Sequence, residues 1–188
     1  MHRTLLVPFL AALPVLGAET SAGLELHLAS PTGRFGDGAH LDRKVGVGVG
    51  LQLPIDFGSG HLLRPKAEYL VFNRGGGGDR YKTDALILAV DYDYFFTEPR
   101  EGAYLLAGLG IHSTRRGAQR TVALVTTTST DRATGLFYNF GLGYAFSRNV
   151  GLEVKYVGLD LSELRYRPVG VDPSFMGNAV VATLGFTF

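Results

Sequence analysis

The chain has no cysteine, so no disulfide framework supports it. It has no excess of charge of either sign, with 18 basic and 17 acidic residues and a formal net charge of +1. Global charge therefore points to no partner, and nothing in the sequence is patterned for nucleic acid. Past the amino-terminal segment there is no continuously apolar run approaching the ~20 residues that a membrane-spanning helix requires. The glycine runs at Gly46 to Gly50 and Gly75 to Gly78 lack a following helix or a phosphate-binding lysine, which excludes nucleotide loops. His2, His27, His40, His61 and His112 are scattered, without metal-ligand spacing and without a serine and carboxylate arranged for nucleophilic chemistry. His112 and Ser113 are adjacent, and neighbours on a strand face opposite sides. No catalytic residue, no cofactor and no metal ligand is predicted.

What is present is apolar residues in alternation. The chain is 46% hydrophobic with 26 glycines and a mean hydropathy of +0.13. The first residues, Met1 to Ala18, combine Arg3, a short apolar run and a small-residue exit, and read as a cleaved secretory signal over residues 1–18. Without Arg3 the remainder, residues 19–188, carries 17 basic and 17 acidic residues (18 less one) and suits one domain. A secreted chain of alternating apolar segments has two destinations, a soluble periplasmic barrel or an outer-membrane barrel.

The final stretch decides the register. Val180, Ala182, Leu184, Phe186 and Phe188 share one face, and Ala179, Val181, Thr183, Gly185 and Thr187 the other, a period of two. Seven more segments repeat it. In the second, Val45, Val47, Val49 and Leu51 alternate with Gly46, Gly48 and Gly50, and the glycines are expected to face a crowded interior that neighbouring side chains cross. Val150, Leu152, Val154 and Tyr156 oppose Glu153 and Lys155, which rules out a soluble ligand carrier: reversing those faces would expose apolar bands on every strand. Pro65 interrupts the third segment, and a local bulge or a start near the membrane boundary is expected there. Residues 31–42, 73–80, 113–135 and 160–177 read as the outer loops, with the threonine run 126–130 able to extend its hairpin above the membrane.

These residues, above all Phe186-Thr187-Phe188, resemble the small eight-stranded outer-membrane barrels of the OmpA-like and OmpX-like kind. The resemblance implies an all-β fold, an eight-stranded antiparallel up-and-down transmembrane β-barrel in the outer membrane of a Gram-negative bacterium. It also implies that the closing strand, through Phe186 and Phe188, is read by the barrel-assembly machinery.

The inward faces collect Glu25, Arg64, Lys66, Glu68, Asp91, Asp93, Glu153 and Lys155 at corresponding depths. Eight strands leave an interior just wide enough for side chains, so these are expected to form a lumen ion network in a monomeric barrel without an open pore. Arginines crowd the outer loops, and Arg115, Arg116 and Arg120 are candidate contacts for lipopolysaccharide phosphates. The expected role is a non-enzymatic structural, envelope-stabilising or adhesive one in contact with outer-membrane lipid. The alternatives are a narrow channel or a lipid A-modifying enzyme.

Overall fold

A computed structural model describes residues 18–36, 45–76, 79–97, 100–122, 125–161 and 176–188. The signal segment, the middle of the first outer loop and most of the fourth lie outside these residues. Eight long strands form the fold: β1 Gly23–Thr32, β2 Gly46–Gln52, β3 His61–Gly76, β4 Asp79–Phe95, β5 Gly102–Val122, β6 Val125–Ser147, β7 Val150–Asp160 and β8 Met176–Thr187. Each pairs antiparallel with its neighbour in the chain, and β8 pairs with β1 from Thr187↔Gly23 to Asn178↔Thr32, closing the sheet into a barrel with no open edge along the span. Closure satisfies every ladder group internally, which hydrocarbon demands.

Alternation sorts the two faces as the sequence implies. Leu109, Leu136 and Leu142 are 73%, 69% and 62% exposed in the isolated chain, within a continuous outer belt that also includes Val47, Leu51, Leu88 and Phe140. A belt of this extent is incompatible with water and fits lipid. At the end holding both described termini, His61 stacks on Tyr92 and meets Tyr94 at a tilt, Tyr94 meets Phe96 edge-on, and Tyr144 packs on Phe146. This is an interfacial aromatic girdle.

Three expectations are corrected. Pro65 makes no bulge, since β3 and β4 pair without a register shift from His61↔Tyr94 to Gly76↔Asp79. The Pro65 carbonyl accepts from the Leu53 amide just where β2 ends. In an antiparallel ladder a residue's N–H and C=O point to the same neighbour, so the donor that proline lacks faces the departing Leu53-Pro54 corner, where no ladder bond is owed. The irregularity falls instead between Asp56 and Gly58, in a short strand Ile55–Gly58 that pairs with Glu19–Thr20 below the barrel. The second and third outer loops are largely strand. β3 and β4 pair up to Gly76↔Asp79, and β5 and β6 up to Val122↔Val125, so β-branched Thr126, Thr127 and Thr128 extend a hairpin that rises above the belt.

A lumen filled in tiers

The barrel interior holds three tiers. At the periplasmic mouth Leu62, Phe95, Tyr104, Leu106 and Ala145 form a small apolar ring, with Phe95 and Tyr104 stacked at 4.4 Å between centroids. Tyr104 has room because its cross-strand partner is Gly143, where a Cβ would sit 2.1 Å from the phenol ring. A cavity of about 60 Å³ opens beside this ring, with Arg64, Asp93 and Glu153 among its walls.

Above it lies the ion network. All eight charged residues assigned inward by the alternation are buried, and they converge. Arg64 is the lower hub. Its guanidinium takes Asp93 in a fork, with Nε 2.6 Å from Oδ2 and Nη2 3.0 Å from Oδ1, and its Nη1 lies 2.6 Å from Glu153 Oε1 and 3.0 Å from Gln52 Oε1. Glu25 Oε1 stands 3.4 Å away on the same nitrogen. Tyr104 donates its hydroxyl to Glu153 Oε1 at 2.8 Å. The upper hub is Glu68, whose Oε1 receives Lys66 Nζ at 2.7 Å and Lys155 Nζ at 2.8 Å. Lys66 also pairs with Asp91, which accepts from Asn139 Nδ2 at 2.8 Å. Bidentate and multiply paired geometry of this kind is what makes buried charge tolerable.

Sequence reasoning missed the neutral members. Gln52, Tyr104, Asn139 and Thr183 are polar residues at inward positions, and alternation alone could have found them. It also missed that His27 enters the network: its Nδ1 lies 3.0 Å from Thr183 Oγ1, and its Nε2 faces Glu25 Oε2 at 3.7 Å and Glu68 Oε1 at 3.8 Å. Glycines supply the space, as the valine-glycine alternation of β2 implies. A Cβ on Gly50 would lie 3.0 Å from both Glu25 Oε2 and His27 Nε2, and one on Gly48 would strike Leu70.

The third tier is apolar. Ala29, Leu70, Ile87, Ala89, Phe137, Val157 and Val181 close the lumen above the charges, and Phe72, Leu159 and Leu161 continue it outward. Phe35, on the 3-10 turn Gly33–Gly36, lies edge-on to Phe72 at 5.4 Å and lids the stack. His112 lies at this level with both ring nitrogens engaged, Nδ1 2.9 Å from Thr114 Oγ1 and Nε2 2.9 Å from the Asp160 carbonyl.

Outside, the candidate lipopolysaccharide contacts divide. Arg115 is exposed, but Arg116, the next residue on β5, turns inward and is buried, because consecutive strand residues face opposite sides. Arg120 lies farther along β5, in register with Asp79 and Thr127. The exposed neighbour of Arg115 is Arg132, directly opposite it on β6, with Asp84 on its other side and Lys82 one step above. This row lies two residues, about 7 Å along the strands, beyond the row of lipid-exposed Leu86. Phe186 lies on the outer face of the closing strand, and Phe188, 81% exposed, exchanges backbone hydrogen bonds with Ala22 at its foot.

Comparison with known proteins agrees with this architecture. Solved structures of similar fold include Ail, the attachment invasion locus protein of Yersinia pestis, in complex with the heparin analogue sucrose octasulfate (14% identity, 91% of this chain and 99% of that one, TM-score 0.62). They also include the N-terminal β-barrel domain of Pseudomonas aeruginosa OprF (13%, 91% and 99%, TM-score 0.57) and Neisserial surface protein A (15%, 92% and 99%, TM-score 0.55). No curated protein sequence matches the chain. The profile of the outer membrane protein beta-barrel domain matches residues 4–188. With a closed eight-stranded barrel, a lipid-facing belt and that match, the chain belongs to the outer membrane protein beta-barrel domain family and is a protein of the Gram-negative outer membrane.

Proposed function

We propose that this barrel is a monomeric, non-enzymatic structural element of the outer membrane, closed to solutes, whose outer rim grips the phosphates of lipopolysaccharide. One observation carries the closed, structural reading: paired charges and a continuous apolar tier fill the lumen from Arg64 to Phe35. A narrow channel would need a polar path through Leu70, Ile87 and Phe137, and a lipid A-modifying enzyme would need a nucleophile and a base together on the lipid face, where Ser113 and Thr134 share the row of Leu86 while His112 beside them faces the lumen.

The rim reading rests on Arg115 and Arg132. Like charges directly opposite on a sheet are destabilising, and Asp84, beside Arg115 in the ladder, is shared with Lys82 at 4.0 Å. A phosphate between the two guanidiniums removes the repulsion and is held bidentately. The row lies within the headgroup layer, which begins where the hydrocarbon ends. Insertion proceeds through the barrel-assembly machinery, with Phe186 and Phe188 beside the closing seam as the recognised edge. The hairpins above the rim are the surface that an adhesive role would use.

Two measurements test this. Planar-bilayer recording of the purified barrel is expected to give no stable conductance of porin size, and steady large currents would defeat the closed reading. Replacing Arg115 and Arg132 together with Gln is expected to lower co-purifying lipopolysaccharide several-fold and to raise sensitivity to envelope stress, with assembly unchanged. Equal lipopolysaccharide in variant and parent would mean that the pair is merely solvated.

A further inference from the structure

On the outer rim, rows of outward residues cross β4, β5 and β6 in register, and their charges do not cancel. Two residues above the row of Leu86, the row of Asp84, Arg115 and Arg132 sets one carboxylate against two guanidiniums, and Lys82 stands on the row above it. Lys82, Arg115 and Arg132 are all exposed. Lys82 Nζ lies 4.0 Å from Asp84 Oδ1, so that pair offsets itself. Asp131 brings no relief, because it is in register with Arg116 on the inner side of the strands. Three cations less one carboxylate leave this patch a formal charge of +2.

Space and depth narrow the ligand further. Gly117 follows Arg115 on the same face, in register with Lys82 and Thr130, and a Cβ there would meet nothing nearer than the Lys82 carbonyl oxygen at 4.0 Å. The space over the two guanidiniums is therefore open. About 7 Å below them along the strands, Ser113 is half-buried between Leu86 and Thr134 and brings a hydroxyl to where the hydrocarbon begins. The next row down is Leu88, Ile111 and Leu136, all exposed to lipid. From water to lipid the order is open notch, guanidinium pair, hydroxyl, aliphatic belt. A glycolipid with a phosphate and an acyl-linked carbonyl on neighbouring carbons of one sugar, and its chains beneath, follows the same order. A phosphate monoester carries about −1.5 to −2 charge near neutral pH, which matches the patch, whereas a phosphodiester carries a single negative charge and leaves half of it unmatched.

Resting on the rim reading, we propose that this face selects its lipid by the state of the phosphate: it seats one lipid A molecule through an uncapped phosphomonoester between Arg115 and Arg132, with the Ser113 hydroxyl donating to the carbonyl of the acyl linkage beside that phosphate. The three free oxygens of a monoester engage both guanidinium forks. A diester offers two, and its second substituent has to fill the space over Gly117. Lipid A whose phosphates are capped as diesters, and the phosphodiester phospholipids, are the poorer ligands of the same site.

The test uses the whole barrel folded in detergent, with heat-dependent gel mobility certifying the folded state and native mass spectrometry counting bound lipid. The probes are lipid A with free phosphates, the same lipid A capped with phosphoethanolamine, and phosphatidylglycerol. The wild type is expected to bind one uncapped lipid A about tenfold more tightly than either of the others. R132Q is expected to lose that preference and keep weak binding to all three. S113A is expected to bind uncapped lipid A several-fold less tightly with the preference retained. If R132Q does not fold, R115Q serves, since the two residues stand opposite each other. Equal binding of capped and uncapped lipid A by the wild type would overturn the proposal and leave the rim reading standing. Undiminished lipid A binding by R132Q and R115Q would overturn both. Unchanged affinity in S113A would overturn the seating of the acyl linkage.

Discussion

The middle and upper tiers of the lumen are built on the same eight strands at the same diameter, yet one is filled by paired charges and the other by aliphatic and aromatic side chains. The difference is one of tolerance. An apolar tier can lose a side chain and keep its neighbours content, at the cost of a cavity. A charged tier distributes each group over several partners, as Arg64 is distributed over Asp93, Glu153, Gln52 and Glu25, so a single deletion weakens several of them at once.

The largest effect is therefore expected in the charged tier. Arg64→Ala leaves Asp93 and Glu153 buried without their main partner and is expected to cost about 3–5 kcal/mol in urea unfolding of the refolded barrel. A loss under about 1 kcal/mol would show that water from the periplasmic cavity replaces the guanidinium. Phe137→Ala, in the apolar tier, removes a fully buried ring and is expected to cost about 3 kcal/mol by the same measurement. It is also expected to leave conductance at baseline, because Leu70, Ile87 and Val157 still close the lumen. Stepwise currents in that variant would make Phe137 the gate rather than one member of a plug. The smallest effect sharpens the boundary between the tiers. Tyr104→Phe keeps the ring against Gly143 and removes only the hydrogen bond to Glu153, which Arg64 still holds, so about 1 kcal/mol is expected. A cost as large as that of Phe137→Ala would place Tyr104 energetically in the network rather than in the ring beneath it.

The same comparison explains what the sequence discloses. On the charged tier the two faces differ in chemistry, so Glu153 and Lys155 against Leu152 and Val154 reveal face, depth and partners by alternation alone. On the upper tier both faces are apolar. In Leu136-Phe137-Tyr138 and Tyr156-Val157-Gly158-Leu159 the period of two persists in the backbone and disappears from the hydropathy, which hides the plug. Phe35 reaches the lumen from a turn, which no strand pattern encodes. Residues 73–80 read as loop because four glycines carry no strand propensity, yet pairing with a committed neighbour extends the ladder through Gly76. The meeting of Glu25, His27 and Glu68 is invisible to motif spacing: two of them share a face of β1, and the third arrives across Gly50 from a strand some forty residues on.

The contact between His27 and Thr183 joins residues 156 positions apart across the closing seam. Lys155 reaches Glu68 over 87 positions, across the barrel axis. Until β8 docks on β1, an inserting sheet would carry its carboxylates and ammonium groups into hydrocarbon without their distant partners, a state whose energy forbids dwelling. Closure and passage into the bilayer are thus coupled into one cooperative event, slowed by the sequence distance over which the seam has to form. A chain of this design rests either outside the membrane with its sheet open to water or within it fully closed, with no half-inserted species lasting long between.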